Sequence, residues 1–159
     1  MNFFNFLRKK KERPEVQDMP VKEVKQGFQR ERGYFPPNPL YKPHSDPEFW
    51  MTIEGEYQDN LKEGRWVIKD KSGQEKGYIN YAGGRKHGLE KLPNGGYTLY
   101  YLGQAVKSNL ELEREWKSQL RGLKMAKKGN KENSSKLKEL LANGEEKWLE
   151  EYSKRYIER

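Results

Sequence analysis

Short runs of alternating apolar and polar residues in the middle of this chain constrain its fold more than any other feature. They centre on residues 53–57, 66–68, 79–81 and 97–101. A period of two places successive side chains on opposite faces, as a half-buried β-strand requires. Turn signals rich in glycine and asparagine separate the runs at intervals of about ten residues. Region 51–106 therefore predicts an antiparallel meander of about four or five strands.

The same region is repetitive. The segment from Tyr57 to Gly64 matches the segment from Tyr81 to Gly88, with Tyr, Lys and Gly at equivalent places. A shorter third unit is predicted at residues 101–104. One such hairpin cannot bury its own face, so we expect the units to stack. Because glycine adopts positive φ without a Cβ clash, Gly64 and Gly88 are predicted to hold matching left-handed or bulge conformations.

The repeat has the pattern Tyr-x-x-(Asn/Gly)-x-Lys-x-Gly-x-Trp, followed by a strand and a glycine turn. Its residues are Tyr57, Lys62, Gly64, Trp66 and Gly73 in the first unit, and Tyr81, Lys86, Gly88 and Gly95 in the second, where Glu90 replaces Trp. The pattern resembles the MORN-type repeats of YwqK-like bacterial proteins, which are commonly labelled antitoxins. Over residues 52–106, this resemblance implies a repetitive β-sheet used for binding, and it brings no catalytic residues.

The hydrophobic period changes to that of helices in residues 107–159. Apolar residues recur there at spacings of three and four, at Leu112, Trp116, Leu120, Leu123, Leu137, Leu140, Leu141, Trp148, Leu149, Tyr152 and Tyr156. Asn143-Gly144 predicts a helix end followed by a new start, and Ser134 or Ser135 is a predicted N-cap. We expect these helices to pack on or beside the sheet. The predicted fold class is α+β.

Two segments precede the sheet. Residues 1–33 are a basic, partly flexible N-terminal segment, in which the spacing of Val21, Val24 and Phe28 indicates a short helix. Residues 34–50 form an extended, Pro-rich arm, which we expect to lie across the chain's own sheet. The alternative role for this arm is a Pro-rich ligand for a partner domain.

The order of residues at the start of the chain indicates a cytoplasmic protein. Residues 1–13 place aromatic residues before a basic run, which is the reverse of a secretory signal. The same aromatic and basic residues are also suited to contact with a membrane surface. Membrane contact through residues 1–13 is therefore kept as an alternative.

Residue types that carry chemistry are sparse. The chain has no cysteine, and its two histidines, His44 and His87, lie far apart in the sequence. These facts exclude disulfides and thiolate catalysis and give no metal-ligand spacing. No nucleophile elbow or phosphate-binding loop is present. We therefore predict a protein that is not an enzyme and that uses neither cofactor nor metal.

The predicted function is interaction with a protein, and the predicted partner is a toxin with an acidic surface. The net charge of +8 favours such a partner, and aromatic and arginine side chains are typical anchors of interfaces. The candidate partner-binding residues are Arg65, Tyr78, Arg85, Lys86, Tyr97 and Tyr100. Because Arg85 and Lys86 lie in a predicted turn, reversing both charges is expected to leave folding nearly intact.

Two other functions remain open from the sequence. A cluster of cations near the end of the first predicted helix is suited to a phosphate backbone. Its members are Arg121, Lys124, Lys127, Lys128 and Lys131. This cluster predicts, as an alternative, an accessory protein that binds nucleic acid. The second alternative is a peripheral membrane scaffold that uses residues 1–13 and the repeat sheet.

Overall fold

The computed structural model describes residues 24–37, 46–126 and 130–159. Within them the chain has an α+β fold, an open antiparallel sheet of eight strands followed by two helices. The strands are β1 (Gly27–Tyr34), β2 (Trp50–Gln58), β3 (Leu61–Lys69), β4 (Glu75–Ala82), β5 (Arg85–Lys86), β6 (Gly88–Lys91), β7 (Tyr97–Tyr101) and β8 (Gln104–Lys107), and the helices are α1 (Asn109–Ala126) and α2 (Lys131–Ile157). Neighbours in the sheet follow the order β1-β2-β3-β4-β6-β7-β8, and β5 pairs with β4. The predicted antiparallel meander with C-terminal helices is confirmed, but the sheet has eight strands where four or five were predicted.

The first strand lies in the segment for which a short helix was predicted. Residues 24–26 are irregular and Phe28 lies in β1, so the helix prediction is wrong in the part of it that the structure describes. β1 pairs with β2 along its whole length, from Gly27 opposite Tyr57 to Tyr34 opposite Trp50. This long-range pairing overrides a weak local preference, which Gly27 reduces further. The predictions for residues 1–13, and for residues 38–45 of the Pro-rich arm, fall outside the described residues.

The centre of the sheet is buried on both faces. On β4, Tyr78 faces the helices, whereas its neighbour Ile79 faces the opposite side and is only 5% exposed. Ile79 pairs with Trp66 of β3, which is completely buried. The Trp66 ring lies directly against Gly55, where an added Cβ would stand 2.6 Å from the ring. A second apolar cluster therefore forms on the face of the sheet opposite the helices.

The helices cover the strands at the C-terminal end of the sheet. The core between them contains Tyr78, Leu89 and Leu99 from the sheet and Leu112, Trp148 and Leu149 from the helices. This packing confirms the predicted apolar stripes, except at Leu141 and Tyr156, which are 55% and 40% exposed. α2 is interrupted at Gly144, whose φ of 79° and ψ of 174° are not helical, at the predicted break. Among the described residues, no helix combines the length and the apolar character needed to span a membrane.

The N-cap of α2 differs from the prediction. The Asn130 side chain accepts hydrogen bonds from the backbone N–H groups of Glu132 and Asn133, over 3.0 and 3.3 Å. The helix thus begins before Ser134 and Ser135, and both serines lie inside it. The prediction that either serine is the cap is wrong, because asparagine one turn earlier is an equally good cap and was overlooked.

Candidate protein-binding site

Three tight turns lie side by side at one end of the sheet. They are Asp59-Asn60 between β2 and β3, Gly83-Gly84 between β4 and β5, and Leu102-Gly103 between β7 and β8. In each turn both residues have positive φ, with values of 51° and 67°, 55° and 77°, and 47° and 91°. Two successive positive φ values define the type I′ hairpin, whose twist matches that of the strands. The shorter third repeat is thus a hairpin of the same kind.

A Lys-x-Gly motif supports each of these turns from the neighbouring strand. The three copies are Lys25-Gln26-Gly27, Lys62-Glu63-Gly64 and Lys86-His87-Gly88. The glycines have φ values of 74°, 69° and 103°, which confirms the prediction of positive φ for Gly64 and Gly88. The lysine carbonyl oxygen accepts a hydrogen bond from the N–H of the second turn residue, over 3.0, 2.9 and 2.7 Å in the three copies.

The side chain of the middle residue in each motif accepts a hydrogen bond from the backbone N–H of the first turn residue. An oxygen of Gln26 accepts from the N–H of Asp59 over 2.8 Å. A carboxylate oxygen of Glu63 accepts from Gly83 over 2.7 Å, and Nδ1 of His87 accepts from Leu102 over 3.1 Å. Both N–H groups of every turn are therefore satisfied, so the turns are held in fixed positions relative to one another.

The lysine side chains of the motif connect one repeat to the next. The amines of Lys25, Lys62 and Lys86 lie 5.0, 5.5 and 4.8 Å from the ring centroids of Tyr57, Tyr81 and Tyr100. Such cation–π contacts contribute about 0.5–1 kcal/mol each at partly exposed sites. The same rings and amines recur in register, so the contacts belong to the internal structure of the repeat.

Lys86 makes more contacts within the fold than its predicted place in an exposed turn suggested. Its amine forms a hydrogen-bonded ion pair with the carboxylate of Glu90, a residue that is only 2% exposed. Desolvation lowers the pKa of Lys86, but Glu90 outweighs it and leaves the pKa above its usual value. This ion pair argues against the expectation that a charge reversal at Lys86 leaves folding intact, and we now expect that reversal to destabilise the fold. Lys86 and Tyr100 are both engaged inside the sheet.

Three other predicted partner-binding residues face the helices. The guanidinium of Arg65 pairs with Glu75 over 3.2 Å and Glu150 over 3.0 Å, and it lies 3.7 Å from the centroid of the Tyr78 ring. Tyr78 is completely buried, so it cannot contact a partner in this conformation, and its assignment to a partner surface is corrected to the core. Tyr97 is half-buried against the same core. Sequence patterns alone do not reveal that helices cover this face.

Exposed side chains surround the three turns and form a continuous row. Leu61 lies against Gly84 of the next turn, and Arg85 lies against Gly103 of the turn after it. Val24 precedes the first lysine of the motif, as Leu61 and Arg85 precede the other two. Val24, Leu61, Tyr101 and Leu102 are 60%, 48%, 45% and 47% exposed, and Arg85 is also exposed. We call the row of Val24, Leu61, Arg85, Tyr101 and Leu102 the turn edge.

The turn edge is large enough for a protein contact. Successive turns are two strands apart, or about 10 Å, so the row spans roughly 20 Å. Only Arg85 among its residues was predicted from the sequence. The recurring Lys-x-Gly motif was the signal that could have located the others, because each copy marks the position of one turn.

The predicted cationic cluster lies on the helices. Arg121 and Lys124 are exposed on α1, and Lys131 is exposed at the first residue of α2. None of these three forms an ion pair with any residue in the described part of the chain. Lys127 and Lys128 lie outside the described residues. Over the same described ranges, no group of three or more histidine, aspartate or glutamate side chains is arranged to hold a metal ion.

No protein-family model, no curated protein and no solved structure matches the chain. The resemblance to MORN-type repeats therefore stays a prediction from the residues of 52–106. What the chain binds must be inferred from the exposed chemistry of the turn edge.

Single charge reversals at Arg85 and Lys86 are expected to have different effects on stability. Lys86→Glu should lower the free energy of unfolding by about 2–3 kcal/mol, because it removes the partner of Glu90 and places a like charge beside it. Arg85→Glu should change this free energy by less than about 0.5 kcal/mol, because its side chain is exposed. Urea denaturation of both variants measures the difference. Equal losses would contradict the assignment of Lys86 to the interior of the repeat.

Proposed function

We propose that this chain is a protein-interaction module that binds its partner through the turn edge. The observation that carries the proposal is the conformation of Leu102. This residue has a φ of 47°, and its side chain is 47% exposed. A left-handed conformation costs a residue with a Cβ about 1–2 kcal/mol, and an exposed leucine recovers little of that cost by burial.

At the position equivalent to Leu102, the other two turns have residues that adopt a positive φ at lower cost. Asp59 and Gly83 occupy the first place in their turns, with φ of 51° and 55°. Aspartate and glycine adopt this conformation at little cost, whereas leucine adopts it only against a steric penalty from its Cβ. Backbone strain of this kind is concentrated at functional sites. A partner that covers Leu102 would supply the apolar burial that the chain itself does not provide.

The neighbours of Leu102 have the chemistry of interface anchors. Tyr101 precedes Leu102 in the chain, and its ring centroid lies 5.3 Å from that of His87. Arg85 follows the neighbouring Gly83-Gly84 turn and lies against Gly103. Tyrosine and arginine are enriched among residues that dominate binding energy. Because the repeated hydrogen bonds already fix the turns, little conformational entropy is lost when a partner binds.

Charge indicates the nature of the partner surface. The net charge of the chain is +8, and Arg85 forms no ion pair with the residues that the structure describes. A cation at the centre of an apolar row is matched by a carboxylate on the partner, and the positive field of the whole protein accelerates association with an acidic surface. The proposed partner is therefore a protein with an acidic face.

The proposed role is immunity against a bacterial toxin, with the turn edge placed over the toxin's active cleft. The resemblance to YwqK-like antitoxins supports this role. The narrow, rigid row of turns supports an occlusion mechanism, since such an edge can cover a cleft without rearrangement. In this mechanism the chain blocks access of substrate and performs no chemistry of its own.

Photo-crosslinking tests both parts of the proposal. A photoreactive amino acid at Tyr101 should capture one protein in cells of the source organism, whereas the same probe at Leu110, an exposed leucine on α1, should not. The captured protein should arrest growth when expressed alone and lose this effect when this chain is coexpressed. Capture from Leu110 only would place the interface elsewhere. Capture from Tyr101 of a harmless protein would retain the binding site and reject the immunity role.

A further inference from the structure

A second surface lies between the two helices, on the opposite side of α2 from the turns. α1 and the part of α2 after Gly144 diverge to leave an open groove of about 510 Å³. Gly122, Leu123 and Ala126 line it from α1, and Trp148, Tyr152 and Arg155 line it from α2. The groove is a separate feature from the turn edge, and none of the residues of the turn edge lines it.

Gly122, on the α1 wall of the groove, leaves open space where another residue would have a side chain. It lies inside α1, where glycine is among the least favourable residues. A Cβ built at this position would have no atom within 4 Å, so packing within the chain does not require glycine there. The open space is therefore available to a side chain from another molecule.

In the aromatic wall of the groove, neighbouring rings contact both Trp148 and Tyr152. Trp148 and Tyr152 are stacked with centroids 5.1 Å apart, and Tyr152 and Tyr156 follow with centroids 6.2 Å apart. The Lys107 amine lies 5.8 Å from the centroids of both tyrosines. Stacking of nucleic acid bases needs free ring faces. Ring edges, in contrast, are suited to contact with aliphatic side chains.

The charges that line the groove are unbalanced. Arg155 and Arg159 line it, and neither forms an ion pair with a residue of the described segments. The carboxylate of Glu115 also lines the groove, but it is paired with Lys107 over 2.9 Å. Nε of Arg155 donates to the backbone carbonyl oxygen of Glu151 over 3.4 Å. Two guanidinium groups that pair with no carboxylate of the described residues, beside an apolar space, favour a ligand that carries both carboxylates and aliphatic side chains.

We infer that this groove binds an acidic peptide segment of a protein, with an aliphatic side chain over Gly122 and carboxylates at Arg155 and Arg159. The inference goes beyond the proposed function, because it concerns a different surface and does not depend on the turn edge. Among macromolecules, a peptide is favoured over nucleic acid because neighbouring rings already stack on Trp148 and Tyr152.

Two substitutions of Gly122 separate binding from folding. Gly122→Ala and Gly122→Leu should both raise the melting temperature, since each improves helix propensity in open space. The probe is a fluorescent synthetic peptide of glutamate with leucine at every third or fourth position, measured by anisotropy. Gly122→Leu fills the groove and should weaken binding by at least about tenfold, whereas Gly122→Ala should bind as the wild type does.

Charge variants and competing ligands complete the test. The double variant Arg155→Gln/Arg159→Gln should weaken peptide binding and reduce its dependence on salt. A matching peptide with lysine in place of glutamate should bind at least about tenfold more weakly than the acidic one. The inference is overturned if the acidic peptide shows no saturable binding or if Gly122→Leu binds it normally. Preferential binding of oligodeoxythymidine at this site would assign the groove to nucleic acid instead.

Discussion

Trp148→Ala is expected to lower the free energy of unfolding by about 3–5 kcal/mol, the usual range for truncation of a large buried aromatic residue. Trp148 is 8% exposed and belongs to the core shared by both helices and the sheet. Its ring contacts Trp116 at a centroid distance of 5.4 Å and Tyr152 at 5.1 Å. Truncation would leave a cavity where α1, α2 and the sheet meet, and the surrounding rings could close it only in part.

Chemical denaturation followed by circular dichroism measures this loss, and Tyr156→Ala is a matched control on the same helix. Tyr156 continues the aromatic series of Trp148 and Tyr152 but is 40% exposed. Its truncation should therefore cost much less than that of Trp148. If Trp148→Ala unfolded at the same denaturant concentration as the wild type, the helices would not be part of the cooperative folded unit.

Stability is expected to fall steeply as the pH rises above about 10, because two buried tyrosines keep their protons in the folded state. Burial, together with the hydrogen bond that its hydroxyl donates to the Glu31 carboxylate, raises the pKa of Tyr57 to about 12. Burial also raises the pKa of Tyr78 well above its ordinary value of 10.0. In the unfolded chain both groups ionise near that ordinary value.

The direction in which the free energy of unfolding changes with pH follows from the number of protons that the folded and unfolded chains bind. Above about pH 10 the unfolded chain has lost protons that the folded chain retains, so the free energy of unfolding decreases as the pH rises. Two such groups give a slope of about 2.7 kcal/mol per pH unit, until the pH reaches the folded-state pKa values. The Glu146 hydrogen bond raises the pKa of Lys91, and loss of that proton acts in the same direction.

Urea denaturation midpoints at about pH 9 and about pH 11 test this expectation. The double variant Tyr57→Phe/Tyr78→Phe should flatten the pH dependence, whereas Tyr101→Phe should not, because Tyr101 is 45% exposed. The Tyr78 hydroxyl is buried without a hydrogen-bond partner among the described residues, so its removal should not reduce stability at neutral pH. A midpoint that stayed constant over this pH range would show that the two hydroxyls are not buried as described.

Local patterns were sufficient to predict the type of fold. The alternation around Trp66 and Ile68 and the helical spacing of Leu112 and Trp148 arise from one buried face of each element, which the sequence displays directly. The positive φ of Gly64 follows equally from a local requirement. β1 was missed because its partner lies far away in the sequence, and its own residues show no clean alternation.

The candidate site could be predicted only in part, because exposure depends on which elements cover a face. Arg85 and Lys86 are adjacent in β5, yet their side chains point to opposite faces, and only Arg85 reaches the turn edge. Tyr78 has the residue type of an interface anchor, but the helices bury it. Leu102 was missed because leucine is not a residue that signals a tight turn.

The strained conformation of Leu102 is the feature of the turn edge that a binding role explains and folding alone does not. Leu102→Gly reproduces the residue found at the equivalent position 83 and removes both the Cβ strain and the exposed side chain. Relief of strain should raise the free energy of unfolding by up to about 1 kcal/mol, after allowance for the greater freedom of glycine in the unfolded chain. Removal of the side chain should weaken the contact with the partner.

The most direct test measures thermal denaturation and partner affinity on the same Leu102→Gly protein, with Leu110→Ala as a control away from the turn edge. We expect Leu102→Gly to have a higher melting temperature together with an affinity at least about tenfold lower, mostly through faster dissociation. The control should retain the wild-type affinity. An unchanged affinity in Leu102→Gly, or a lower melting temperature, would contradict the claim that the turn edge is a binding surface maintained at a cost to folding.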